Sequence, residues 1–154
     1  MSAGSWKARL GQLGVALPQV TAPLAAYVPA VRTGNLVYTA GQLPFEAGKL
    51  VRTGKVGADV NPEEGKALAR LCALNALAAV DSVVGLDAVT RVVKVVGFVA
   101  SAPGFNGQPS VVNGASDLLG EIFGDQGAHA RSAVGVSELP LDAPVEVELI
   151  VEVG

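Results

Sequence analysis

The sequence has few of the groups on which most enzyme chemistry rests. Its 154 residues include one histidine, one cysteine, one tryptophan and one methionine. With His129 alone, no multi-histidine metal site can be built, and a lone histidine beside a strand start reads as a surface residue. Cys72 has no partner for an internal disulfide, which fits a reducing compartment. It sits in a helical run with no second thiol or imidazole to activate it, so it reads as a small buried hydrophobe. Charged residues make up only 16%, the net charge is −3, and no basic cluster occurs. That balance, with 5% aromatics, argues against an extended nucleic-acid surface. There is no Gly-Lys-Ser/Thr phosphate loop, no strand-linked GxGxxG and no Gly-x-Ser-x-Gly elbow. No apolar run approaches the roughly 20 residues of a membrane helix. Met1–Lys7 lacks the apolar core of a signal peptide. The expectation is a cytoplasmic protein without a membrane partner.

What is present is apolar. Half the residues are hydrophobic, and the length suits one domain with a real core. A short helix is expected over residues 5–14, ended by Pro18, and residues 18–23 read as irregular. Strands are expected over Tyr27–Arg32, Leu36–Thr39 and Lys49–Val51. Asn61, Pro62 and Glu64 form a helix start with a capping box. The helix runs to Val84, with Ala67, Leu71, Leu74 and Ala78 at helical spacing and Gly85 as its stop. Val89–Ala100 is the strongest strand, apolar on both faces at its centre. A loop follows over Ser101–Pro109, then a helix over Val111–Phe123.

The C-terminus reads as a hairpin, with Ala130–Val136 and Val145–Val153 as neighbouring strands around the Pro140 and Pro144 turn. It places Arg131 on the first strand and Glu146 on the second. The order βββ-α-β-α-ββ implies an α+β domain with two helices packed on one face of a sheet. The other face needs cover, which points to a closed homo-oligomer.

Arg131 is the first candidate for chemistry. Ala133 and Gly135 leave room beside its guanidinium, whose planar fork can hold a carboxylate; an ordinary salt bridge is the alternative. Glu146, Glu148 and Glu152 read by spacing as a solvated strand face. Tyr27 stands at a strand entrance, where a structural anchor is the common role. Asn113 can cap its helix or point into a pocket.

Three blocks in order resemble the RidA/YjgF family of imine deaminases (the endoribonuclease L-PSP family). They are Ala26–Pro44, ending in Ala-Gly-Gln-Leu-Pro; Val92–Phe98 followed by Asn113; and Ala130–Pro140 followed by Val-Glu-Val-Glu. The resemblance implies a chorismate-mutase-like (YjgF-like) α+β fold over residues 1–154, with 1–23 as an N-terminal extension, and a homotrimer with sites between subunits. It implies hydrolysis of enamine/imine intermediates such as 2-aminoacrylate to a 2-keto acid and ammonia, with no cofactor and no metal. By family position, Arg131 binds the substrate carboxylate and Glu146 activates water. Tyr27, Ala40, Gly41, Asn113 and Ala133 line the pocket, Tyr27 from a neighbouring subunit. Two positions depart from the family pattern: Ala40 stands where Ser is common and Ala133 where Cys is common. The chain therefore reads as a divergent branch. A non-catalytic small-carboxylate binding trimer is the alternative, and ribonuclease activity is a third reading.

Overall fold

The structure, a computed structural model, describes residues 5–20 and 25–154. The expected extension over 1–23 therefore lies partly outside the described residues, at 1–4 and 21–23. Within the described part, a short helix α1 (Trp6–Gln12) docks by Leu10, which is buried. Trp6 donates its indole N–H to the Val89 carbonyl at 2.7 Å and meets Phe123 edge-on. Among the described residues the α-helices therefore number three rather than two.

Five strands form one mixed sheet in the order β1-β2-β7-β5-β6. They are β1 (Ala30–Thr33), β2 (Leu36–Thr39), β5 (Val89–Ala100), β6 (Ala130–Val136) and β7 (Val145–Val153). A separate small hairpin joins β3 (Phe45–Glu46) to β4 (Lys49–Leu50). Its turn residues Ala47 and Gly48 both have positive φ, the geometry that matches strand twist in a two-residue turn. The first strand starts at Ala30, so Tyr27 lies on the approach to the sheet and not within it.

The expected C-terminal hairpin does not form. β6 pairs in parallel with β5, and β7 pairs antiparallel with both β5 and β2. β5, the helix α3 (Gln108–Phe123) and β6 make a crossover unit, which forces parallel pairing because the chain returns to its starting end before the next strand begins. β7 then enters on the far side of β5. Proline-rich turn residues mark a reversal, but they do not say which strand is the neighbour.

Helix α2 (Pro62–Val84) begins as expected. The Asn61 side chain accepts from Glu64 N–H at 2.8 Å, and the Glu64 carboxylate accepts from Asn61 N–H at 3.3 Å. Its buried residues include Leu68, Ala69, Cys72, Ala76, Ala78 and Val80, while Leu71 and Leu74 are half-buried and Ala67 is exposed. Of the four residues at the expected helical spacing only Ala78 is fully buried, because a helix so rich in alanine carries little contrast between its faces. By length and composition α2 could cross a membrane, yet more than half of its most apolar window is buried inside the fold. α2 and α3 cover the same face of the sheet, α2 over β7 and β2, α3 over β5 and β6. They touch backbone to backbone: a Cβ on Gly114 would stand 1.9 Å from the Lys66 carbonyl.

Register fixes what each face carries. Val95, Gly97 and Val99 of β5 point to the helices; a Cβ on Gly97 would sit 2.5 Å from the Val112 side chain. Their partners on β6, Arg131, Ala133 and Gly135, point the same way. Phe98 and Val96 point away, opposite Glu146 and Glu148 of β7. That open face also carries Val31, Tyr38 and Val134, all exposed.

Candidate functional site

The residues singled out in the sequence fall into two groups. On the helix face, at the edge of the sheet, Arg131 Nη1 donates to Asn113 Oδ1 at 2.7 Å and to Ser116 Oγ at 3.2 Å. Both acceptors lie on α3, one turn apart. Ser116 Oγ also lies 2.9 Å from His129 Nε2, and His129 Nδ1 lies 2.6 Å from the Gly127 carbonyl. Ala133 follows Arg131 on the same face. The ordinary salt bridge expected as the alternative for Arg131 is absent among the described residues: each ion pair involves other cations. A half-buried guanidinium thus has neutral oxygens on one nitrogen and no anion.

On the open face, Tyr27, Ala40, Gly41 and Glu146 line an open groove of about 630 Å³ together with Val31 and Tyr38. Gln42 and Val147 exchange backbone hydrogen bonds at 2.8 and 3.0 Å, which lays the segment after β2 along β7. Asn75 of α2, nearly fully buried, pins that segment by donating to the Leu43 and Phe45 carbonyls at 3.1 and 3.0 Å. The Glu146 carboxylate then folds across Gly41. A Cβ there would lie 1.9 Å from Glu146 Oε2, so only glycine lets the carboxylate rest in this position. Burial pushes the Glu146 carboxyl above the usual carboxylate range, and the charge of Glu148 adds to the effect. A carboxyl raised in this way is suited to exchanging a proton nearer neutral pH. Tyr27, 57% exposed, rests on no core.

The two groups do not meet within one chain. Arg131 is level with Val95 and Glu146 with Phe98, so they are offset by roughly 10 Å along the sheet and about 10 Å across it. They also stand on opposite faces. The expected hairpin, with Arg131 on its first strand and Glu146 on its second, is therefore replaced by two separate groups of residues.

Cys72 is fully buried, with Sγ 3.6 Å from the Val145 carbonyl, and burial pushes its thiol well up, the Glu146 charge adding to this. It is an inert core residue, as its sequence context implied. His129 is not a surface residue but a half-buried member of the Arg131 network. Ser116 was not singled out at all. Spacing held the signal: Ser116 is three residues after Asn113 on a helix, and His129 two before Arg131 at a strand start, so each shares a face with a residue already noted. No group of three or more metal-ligating side chains occurs among the described residues.

The mixed sheet with two long helices on one face places the chain in the α+β class. The chain matches the family model described as "YjgF/chorismate_mutase-like, putative endoribonuclease" over residues 7–153 and belongs to the YjgF/RidA (endoribonuclease L-PSP) family. It is similar to Protein TCP17 of Trypanosoma cruzi, 44% identical over 100% of this chain and 98% of that protein. It is also similar to a 2-iminobutanoate/2-iminopropanoate deaminase of Dermatophagoides farinae, 34% identical over 89% and 93%. Among solved structures, a protein of unknown function from Agrobacterium tumefaciens superposes with a TM-score of 0.89 at 46% identity, covering 97% of this chain and 92% of that one. Escherichia coli TdcF with bound serine superposes with a TM-score of 0.64 at 25% identity, covering 88% and 94%.

Proposed function

We propose that this protein hydrolyses small enamine or imine acids of the 2-aminoacrylate type to a 2-keto acid and ammonia, without cofactor, in the cytoplasm. One observation carries the reading: among the described residues Arg131, half-buried, has no carboxylate partner and no acceptor for its Nε and Nη2 donors. A fork of donors in that state is a receptor for a planar anion. The deaminase of Dermatophagoides farinae names the substrate class, and the bound serine of TdcF is a small amino acid carboxylate.

The chemistry needs little else. An imine carbon is already electrophilic, so a held substrate and one activated water suffice. Arg131 fixes the carboxylate. An enamine reacts through its imine tautomer. Glu146 takes a proton from the attacking water and passes it to the imine nitrogen. It then moves the carbinolamine hydroxyl proton to the same nitrogen as the C–N bond breaks and C=O forms, so that ammonia leaves, a task its raised pKa suits. In this reading the chain assembles as a homotrimer whose clefts bring Arg131, Asn113 and Ala133 of one copy to Tyr27, Ala40, Gly41 and Glu146 of the next. The split of these residues between two faces supports that arrangement, since neither half alone holds both anchor and base. The exposed Val31, Tyr38 and Val134 are then covered.

The test is release of keto acid and ammonia from 2-aminoacrylate generated in situ. Turnover by the wild type that is lost in Arg131→Ala supports the reading. A folded wild-type oligomer with no turnover sinks it. Ala40, a groove wall without a hydroxyl, favours one second reading, a trimer that binds small carboxylates without turning them over. Thermal stabilisation by 2-oxobutanoate with no product release would select it.

A further inference from the structure

The hydrogen-bond chain behind Arg131 has a direction. A carbonyl only accepts, so the 2.6 Å contact with Gly127 places a proton on His129 Nδ1. In the neutral ring Nε2 is then a bare acceptor. Ser116 has a single hydroxyl proton, and with Nε2 at 2.9 Å that proton points to the ring. The Ser116 oxygen is left to accept from Arg131 Nη1. Each donor along Arg131–Ser116–His129–Gly127 thus meets one acceptor, and the polarity cannot be reversed while the ring is neutral.

This matters because the space around Arg131 is loose. Ala133 and Gly135, its neighbours on the same face, bring almost no side-chain bulk, so a long side chain there would otherwise sample several rotamers. Asn113 alone offers Nη1 one acceptor and leaves the guanidinium free to turn about that contact. Ser116 supplies the second. The two hydrogens of Nη1 match the two acceptors on α3, and the parallel pair on Nε and Nη2 has no acceptor among the described residues.

We propose that Ser116 and His129 are positioning residues that present the Nε–Nη2 edge of Arg131, so that the site takes a single carboxylate side-on. This rests on the carboxylate-anchor reading given above and adds which edge binds and what holds it. His129 acts only through Ser116, and Ser116 only through Arg131.

The experiment measures binding of 2-oxobutanoate and of its methyl ester to the full chain, with nitrogen-15 spectra of His129 at pH 8. Ser116→Ala is expected to weaken the acid about three- to tenfold, the usual worth of one hydrogen bond, and to leave the ester unchanged. Ser116→Thr keeps the hydroxyl and holds the acid within about twofold. His129→Leu follows Ser116→Ala, and His129→Gln, which retains an acceptor, follows the wild type. In an Arg131→Ala background, Ser116→Ala adds nothing. The spectra are expected to show the Nδ1–H tautomer.

The Nε2–H tautomer overturns the proposal. So does Ser116→Ala that binds the acid as the wild type does while Arg131→Ala loses it, and so does equal weakening of acid and ester. A wild type that binds neither ligand overturns the carboxylate anchor and the positioning role with it. The tautomer spectrum separates that case from failure of the hydrogen-bond chain alone.

Discussion

Arg131 and Glu146 sit in one sheet, yet they are held in opposite ways. Arg131 is clamped by hydrogen bonds that it donates to a helix that is itself locked backbone to backbone against α2. Glu146 has no side-chain hydrogen bond among the described residues. It is held by lying across Gly41 in a groove, and its carboxyl is raised by that burial and by Glu148. In the proposed reaction, the chain thus pre-organises the anchor and leaves the acid–base group adaptable. An anchor must find a fixed, stable anion, so stiffness raises its affinity. A proton carrier must serve water on entry and nitrogen on departure, so it tolerates play.

The largest break in this contrast is Glu146→Gln. It keeps the shape and removes the base, so turnover of 2-aminoacrylate is expected to fall by about 10²–10⁴ with little change in KM. A loss confined to KM would move Glu146 from chemistry to binding. Arg131→Ala comes next. Losing a charged fork costs about 1.5–3 kcal/mol, or roughly 10–100-fold in affinity for 2-oxobutanoate. Arg131→Lys is expected to recover only part of this, because an ammonium cannot offer two parallel donors. Full recovery would mean that the site reads charge alone.

Two glycines sharpen the contrast between the stiff half and the soft one. A methyl on Gly114 meets the Lys66 backbone carbonyl at 1.9 Å, and neither helix can yield without moving the other. Gly114→Ala is therefore expected to destabilise the fold by about 1–3 kcal/mol or more and to shift Asn113 with it, read by chemical denaturation. A methyl on Gly41 meets a side-chain end at the same 1.9 Å, and the Glu146 carboxylate can swing away. Gly41→Ala is expected to leave stability within about 1 kcal/mol while lowering turnover about tenfold or more through misplacement of the base. Equal destabilisation by both would show that the groove is as rigid as the helix pair.

How much of this was readable beforehand follows the same division. The elements were legible because each is marked locally: the capping box at Asn61 and Glu64, the valine run of β5, the alternation of β7. The neighbours of β6 were not, since pairing is decided by the crossover through α3 and leaves no mark in the strand itself. Family position placed Arg131, Asn113 and Glu146, and the geometry grouped the first two. That Arg131 and Glu146 face opposite ways could be seen only from the register of β5, which pairs Val95 with one and Phe98 with the other. His129 and Ser116 were hidden by their ordinariness. A lone histidine and a helical serine gain meaning only when a third residue brings them within hydrogen-bond distance.

The smallest effect tests the soft half through stability. The folded chain holds the Glu146 proton more tightly than the unfolded chain does, because burial and Glu148 both oppose its charge. The folded state therefore binds more protons than the unfolded state, and stability falls as pH rises through that group. The contribution is fully present below the ordinary glutamate range and is lost as pH climbs through the raised value. Glu146→Gln carries no such titration. Its melting temperature is expected to match the wild type near pH 4 and to exceed it by neutral pH, the difference opening across the interval between. Taking the difference between the two proteins cancels every carboxylate that does not interact with Glu146. A gap that instead opens toward acid would mean that Glu146 is stabilised as an anion, as it would be if a guanidinium from a neighbouring copy lay directly against it. The sign of that gap thus reports whether the base stands alone in the groove or is already paired across a subunit boundary.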